Sequence, residues 1–245
     1  MQTAIHRIDL HQFSLDVDAD GLAALERHLT PDERDRARRF VVPKDGADFV
    51  AGRGSVREIL ADYVGRPAAD LRFAYGAHGK PRLELDDPAP HFNLSHAGHR
   101  AALVVSPSVA VGVDIEVVRP IERGLARRFF APGEVAALEA LPPERWLVGF
   151  FQCWTRKEAV LKAMGRGFSM SLASFDVSIA DDLPPRVVRL DEPGDAAQHW
   201  ALFEVRPTPE TIIAIAAASD RASVELIEVD AAESERRAAA HRSGA

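Results

Sequence analysis

Two acidic side chains share one face of a strand, and a third falls where a helix should be apolar. In GVDIE, residues 112–116, a strand would send Val113 and Ile115 to one face and Asp114 and Glu116 to the other. The two carboxylates would then lie about 6.5–7 Å apart and parallel. Like charges so placed repel unless water or a cation intervenes. A solvated acidic strand face satisfies that condition, and so does a Mg²⁺ site. Mg²⁺ takes oxygen ligands, usually one or two carboxylates, and completes its octahedron with water and substrate phosphate. The third acid is Glu158, in WTRKEAVLKAMG. On a helix it falls about 40° from Trp154, inside a stripe formed with Leu147, Phe150, Phe151 and Leu161. Lys162 lies at the stripe's edge, about 80° from Trp154, and Lys157 flanks its other side. A surface Glu158–Lys162 pair at i,i+4 would be worth only about 0.2–0.5 kcal/mol. A carboxylate sharing a face with Trp and Phe instead calls for a cation, a metal or a functional cleft.

The segment FNLSHAGH, 92–99, reads as a small polar turn that places Asn93, Ser95 and His96 before the apolar strand AALVV. A turn or cap role for Asn93 and Ser95 is the default. The alternative is phosphate recognition, because a hydroxyl and an imidazole both donate to anionic oxygen. His96 and His99 make a poor zinc pair, with no further ligand at suitable spacing. Positive charge recurs at Arg36, Arg38, Arg39, Arg53, Arg57, Lys80 and Arg82. Each reads singly as a solvated residue; together they would build one anion pocket. GxxxxGK[ST], GxSxG and GxGxxG patterns are absent, and Pro81 follows Lys80 where a phosphate loop requires Ser or Thr.

These groups need elements to hold them. Residues 1–16 read as a first strand and 20–29 as a short helix. Thr30-Pro31-Asp32-Glu33 is a helix start with N-cap, N1 proline and N3 glutamate, opening the basic ERDRARRF. A second helix spans about Gly46 to Val64, and turn-rich stretches flank a short strand near 82–85. AALVV, the turn SPS and VAVGVDIEVV together read as a β-hairpin. Helices follow Pro120 and stop at Gly165 and Gly167. Strands are expected at FDVSI, VVRL, HWALFEV and TIIAIAAAS. The class is α+β, in halves 1–111 and 112–230, with a small polar tail at 231–245.

Composition sets the outer bounds. The chain has 245 residues, 37 acidic against 30 basic, a formal charge of −7 and a single cysteine, Cys153. That balance argues against general nucleic-acid affinity, and one cysteine excludes an internal disulfide framework. With neither a signal-peptide pattern nor a run of apolar residues long enough for a membrane span, the expectation is a cytoplasmic enzyme with no membrane partner.

Taken in order, GKPRL, FNLSH, GVDIE and W-x-x-KE-x-x-x-K resemble the 4′-phosphopantetheinyl transferases of the surfactin-synthetase-activating type. The likeness spans about Thr30 to Val177, and RARRFVVPKDGADFVAGRGSVR also resembles the family's N-terminal segment. It implies a pseudo-dimeric chain of two similar halves, each with helices on a small antiparallel sheet, and a ligand cleft between them. The implied reaction moves phosphopantetheine from coenzyme A to a serine of an apo acyl or peptidyl carrier protein, releasing 3′,5′-ADP. By position, Asp114, Glu116 and Glu158 would hold Mg²⁺, and Glu158 would also be the general base. Lys162 would stabilise the leaving group. Asn93, Ser95 and His96 would meet the pyrophosphate or ribose phosphate, and Lys80 and Arg36 the nucleotide phosphates. One departure is Glu33, at a position where some relatives carry lysine. Arg123, Arg127 and Arg128 would complement an acidic carrier helix. Two internal halves imply a monomer.

Two rival readings share the same residues. A metal-dependent phosphohydrolase also wants three acids and a basic pocket, with water as acceptor. A non-catalytic coenzyme A or carrier binding module would not need all three acids intact.

Overall fold

The computed structural model describes residues 5–85, 88–167, 170–179, 184–191, 199–219 and 223–229. The expected tail at 231–245 lies outside the described residues. Strand β1 (Ile5–Ser14) leads into α1 (Ala19–Glu26), whose first turn is capped by Asp18 accepting from the Gly21 N–H at 2.8 Å. Helix α2 (Pro31–Arg38) starts with the expected capping box. The Glu33 N–H donates to Thr30 Oγ1 and the Thr30 N–H donates to Glu33 Oε2. Helix α3 (Pro43–Val64) begins three residues earlier than the periodicity indicates, because Pro43 is itself an acceptable N1 residue.

Next come β2 (Phe73–Tyr75), β3 (Pro81–Leu83), β4 (His91–Ala97), β5 (Arg100–Ser106) and β6 (Val111–Val117). Helices α4 (Gly124–Phe129), α5 (Pro132–Glu139) and α6 (Trp146–Met164) follow. Gly165, at φ 67°, supplies the left-handed residue that ends α6. Strands β7 (Phe175–Val177), β8 (Val187–Leu190), β9 (Trp200–Thr208), β10 (Thr211–Ala218) and β11 (Ser223–Val229) complete the order.

Two expectations are corrected. FNLSHA is not a turn: it is strand β4, hydrogen-bonded to β5 along its length. Nor do β5 and β6 form a hairpin. β5 lies between β1 and β4 in a sheet ordered β11-β1-β5-β4, whereas β6 pairs with β10 in a second sheet ordered β6-β10-β9. The SPS segment carries the chain from one sheet to the other. Apart from the parallel β1–β11 pair, both sheets are antiparallel.

Alternation along the strands sets the layers. On β5, Leu103 and Val105 pack with Val56 and Leu60 of α3, while Ala102 and Val104 face the second sheet. On β10, Ile213 and Ile215 join that shared core, and Ile212, Ala214 and Ala216 pack towards α6. The succession is α3, first sheet, second sheet, α6: an α+β molecule of two helix-on-sheet halves sharing one apolar core.

Candidate functional site

Val111, Val113 and Ile115 belong to the core between the sheets, so Gly112, Asp114 and Glu116 face α6, as the alternation of GVDIE predicts. Gly112 is required for that approach. A Cβ there would lie 2.1 Å from Ala159 O and 2.3 Å from Ala163 N, both on the α6 backbone. This contact brings the Asp114 carboxylate under Lys162, whose Nζ stands 2.6 Å from Oδ1. Ser95, on β4, completes a triangle. Its Oγ donates to Asp114 Oδ1 at 3.0 Å and accepts from Lys162 Nζ at 2.9 Å.

Asp114 is 5% exposed, and its second oxygen, Oδ2, is buried without a hydrogen-bond partner. Burial pushes the Asp114 carboxyl above its usual range, opposed by Lys162 and Ser95 and reinforced by Glu116. Glu158 is half-buried one helical turn before Lys162, and its carboxyl is also raised. Burial is the larger cause and the Asp114 charge the next. Glu116 pairs with Arg119 at 2.7 Å. The three acids therefore share one electrostatic field.

Among the described residues no three His, Cys, Asp or Glu side chains are already gathered in a metal-holding geometry. Lys162 occupies one Asp114 oxygen and Arg119 one Glu116 oxygen. The donor set still fits a hard divalent cation. It offers carboxylate oxygens alone, one of them buried and unpartnered, and it carries more negative than positive charge.

The remaining sequence candidates are dispersed. Asn93 is buried on β4 and its Oδ1 accepts from the Val113 N–H at 2.9 Å, so its acceptor is spent on the protein. His96 is exposed and, by strand alternation, points to the face opposite Ser95. Lys80 reaches across from the β2–β3 ribbon, its Nζ donating to Val111 O at 2.8 Å and Ala163 O at 3.1 Å. Burial lowers its pKa to about 8. Arg36 is exposed at the end of α2, with its guanidinium 4.9 Å from the Phe49 ring centroid.

The scattered arginines do not assemble into one anion pocket. Arg38 pairs with Asp35. Arg57 is buried and spent on Glu33 Oε2 at 2.8 Å and on the carbonyls of Ala68 and Leu71, while Arg53 pairs with the other Glu33 oxygen. Arg123 and Arg128 lie over Trp146 and Phe129, and Arg127 pairs with Glu139 on the surface.

Sequence reasoning missed two participants. Arg119 stands three residues after Glu116, a spacing that could have suggested the pair. The lysine–carboxylate pair Lys157–Glu134, 2.6 Å long and fully buried on the far side of α6, left no signal beyond its isolated charges.

A family model described as the 4′-phosphopantetheinyl transferase superfamily matches residues 110–216, and one described as 4′-phosphopantetheinyl transferase, N-terminal, matches 18–108. The 4′-phosphopantetheinyl transferase HetI of Nostoc sp. is 34% identical over 215 residues, covering 86% of this chain and 87% of its own. Sfp of Bacillus subtilis is 33% identical over 154 residues, covering 63% and 68%. AcpT of Salmonella typhi is 40% identical over 168 residues, covering 68% and 79%. With such coverage across both halves, the chain belongs to the 4′-phosphopantetheinyl transferase superfamily.

Proposed function

We propose that the chain transfers the phosphopantetheine arm of coenzyme A to a serine of an apo carrier protein, at a site made by Asp114, Glu116, Glu158, Lys162 and Ser95. The observation that carries this reading is the triangle of Asp114, Ser95 and Lys162 beside the half-buried Glu158, in a chain of this family.

Asp114, Glu116 and Glu158 would hold Mg²⁺. Bound there, the ion would neutralise the pyrophosphate and polarise it for attack. Glu158 takes the proton of the carrier serine, directly or through a water. The serine oxygen forms a bond to the β-phosphorus as the bridging P–O bond breaks. The electron pair leaves on 3′,5′-ADP, where Lys162 offsets the new charge. Lys162 is 28% exposed at its side chain, enough freedom to exchange an Asp114 oxygen for a phosphate oxygen. Ser95 holds Asp114 and Lys162 in register. His96 and Arg36 are exposed further out and serve the ribose and nucleotide phosphates, and Lys80 would give up one of its two carbonyl partners for a nucleotide phosphate. Arg123, Arg127 and Arg128 form an exposed basic lip that suits an acidic carrier helix.

Among the described residues no helix is long and apolar enough to cross a membrane. On the transferase reading the protein works in the cytoplasm as a monomer, with both halves of the site supplied by one chain. Fatty-acid, polyketide, nonribosomal-peptide and aminoadipate carriers all fit. Incubation with coenzyme A, Mg²⁺ and a panel of apo carriers tests it: at least one carrier gains the mass of one phosphopantetheine arm. Cleavage of coenzyme A with water as acceptor and no carrier modified would overturn it.

A further inference from the structure

The edge of β4 runs beside the edge of β6, yet the two strands belong to different sheets and no backbone ladder joins them. Side chains supply the missing partners. Asn93 and Ser95, two residues apart on one face of β4, meet Val113 and Ile115, two residues apart on β6. The Val113 N–H donates to Asn93 Oδ1 at 2.9 Å, and the Ile115 N–H donates to Ser95 Oγ at 3.5 Å. The equal spacing in the same direction makes a two-rung ladder in which each rung is a side-chain oxygen. Asp114 sits between the rungs. Its peptide is therefore held on both sides by the opposite half of the molecule.

We propose that Asn93 is a positioning residue: it fixes the β6 edge to the first sheet and thereby sets where the Asp114 carboxylate stands relative to Lys162 and Glu158. The two rungs differ. Ser95 already belongs to the Asp114–Lys162 triangle, so its removal would mix several effects. Among the described residues Asn93 makes no hydrogen bond to any of the charged groups, and it acts through the backbone alone. The short Val113 rung is the stronger by geometry. A buried N–H left without an acceptor must be relieved by shifting the strand or admitting water. Either response moves the carboxylate by the fraction of an ångström that a preorganised site does not tolerate.

The inference rests on the transferase reading, and the experiment separates the two. Wild type, Asn93→Ala and Asn93→Asp are compared for carrier loading, for kcat and KM towards coenzyme A, and for amide exchange at Val113. Asn93→Asp keeps an acceptor oxygen at the same atom. The expected result for Asn93→Ala is a kcat lower by about 10²-fold with KM for coenzyme A unchanged, and loss of protection at the Val113 amide. Asn93→Asp recovers the protection and most of the kcat. If Asn93→Ala does not fold, Asn93→Ser, whose hydroxyl is too short to reach Val113, replaces it with the same expected split.

Two outcomes would overturn the inference. One is unchanged kcat despite a deprotected Val113, which makes the rung structural only. The other is a large rise in KM with kcat retained, which makes Asn93 a ligand contact. A wild-type protein that loads no carrier sinks the transferase reading instead; a Val113 amide that stays protected in Asn93→Ala then removes the ladder as well.

Discussion

Helix α6 carries two lysine–carboxylate pairs of equal length and opposite character. Lys157 and Glu134 meet at 2.6 Å with neither side chain more than 2% exposed, and every charged atom is used. Glu134 Oε1 accepts from the Val177 N–H, Oε2 accepts from the Ala131 N–H, and Lys157 also donates to Phe175 O and lies over the Phe175 ring. Lys162 and Asp114 also meet at 2.6 Å, but Lys162 reaches solvent and one Asp114 oxygen has no partner. The first pair is closed and joins α5, α6 and β7. The second is left incomplete, with two further carboxylates, Glu116 and Glu158, nearby. A buried pair with all its hydrogen bonds made holds structure; one with an orphaned oxygen and a partly exposed cation has capacity left for a ligand.

The comparison breaks first at the closed pair. Removing Glu134 leaves Lys157 buried and uncompensated, together with two N–H groups that lose their acceptor. Glu134→Ala should cost about 3–5 kcal/mol of unfolding free energy, measured by denaturant titration. A cost under about 1 kcal/mol would mean the pair does not differ from a surface one. Asp114→Asn makes the opposite statement. Its unfolding free energy should move by less than about 1 kcal/mol, since Lys162 can swing into water. Carrier loading should fall by about 10³-fold, equivalent to about 4 kcal/mol of barrier. Lys162→Ala should follow with a loss of about 10²–10³-fold in kcat, about 2.7–4 kcal/mol, and a stable fold. A destabilised Lys162→Ala protein with normal turnover would reverse the two roles.

How far these roles could be read in advance depended on whether they were local. The alternation of GVDIE and the 3.6-residue period of WTRKEAVLKAMG are intrinsic to strand and helix, so the facing of Asp114, Glu116, Glu158 and Lys162 was legible. The capping box of α2 was legible for the same reason. What decided the rest lies far apart in the chain. AALVV-SPS-VAVGV has every local mark of a hairpin, yet β6 finds its partner in β10, about a hundred residues later. Asn93 is a poor strand former in isolation, and FNLSH reads as a turn until β5 pairs with it and β6 brings N–H groups for Asn93 and Ser95 to accept. Glu33 signals its cap but not its bond to Arg57, so in the sequence Arg57 reads as one more solvated cation.

Lys80 sharpens the comparison from a third position, because it is a half-buried cation facing carbonyls rather than a carboxylate. It ties the β2–β3 ribbon to the start of β6 and the last turn of α6, next to Asp114's strand and Lys162's helix. Desolvation lowers its pKa from 10.5 to about 8, and the unfolded chain would return it to the ordinary value. Below pH 8 the amine is charged in both states, and the folded state carries the whole desolvation cost. Between about 8 and 10.5 the unfolded state binds the proton and the folded state has released it, so stability rises with pH in this window. Other groups titrate there too, but they cancel when wild type is compared with Lys80→Met. The difference in unfolding free energy should therefore shift in favour of wild type as pH rises from 8 to 10.5, by at most about 3 kcal/mol. The two carbonyl hydrogen bonds work against that shift, since they favour the ammonium form. A flat difference across the window would show that the carbonyls win, making Lys80 a permanently charged clamp at the helix end.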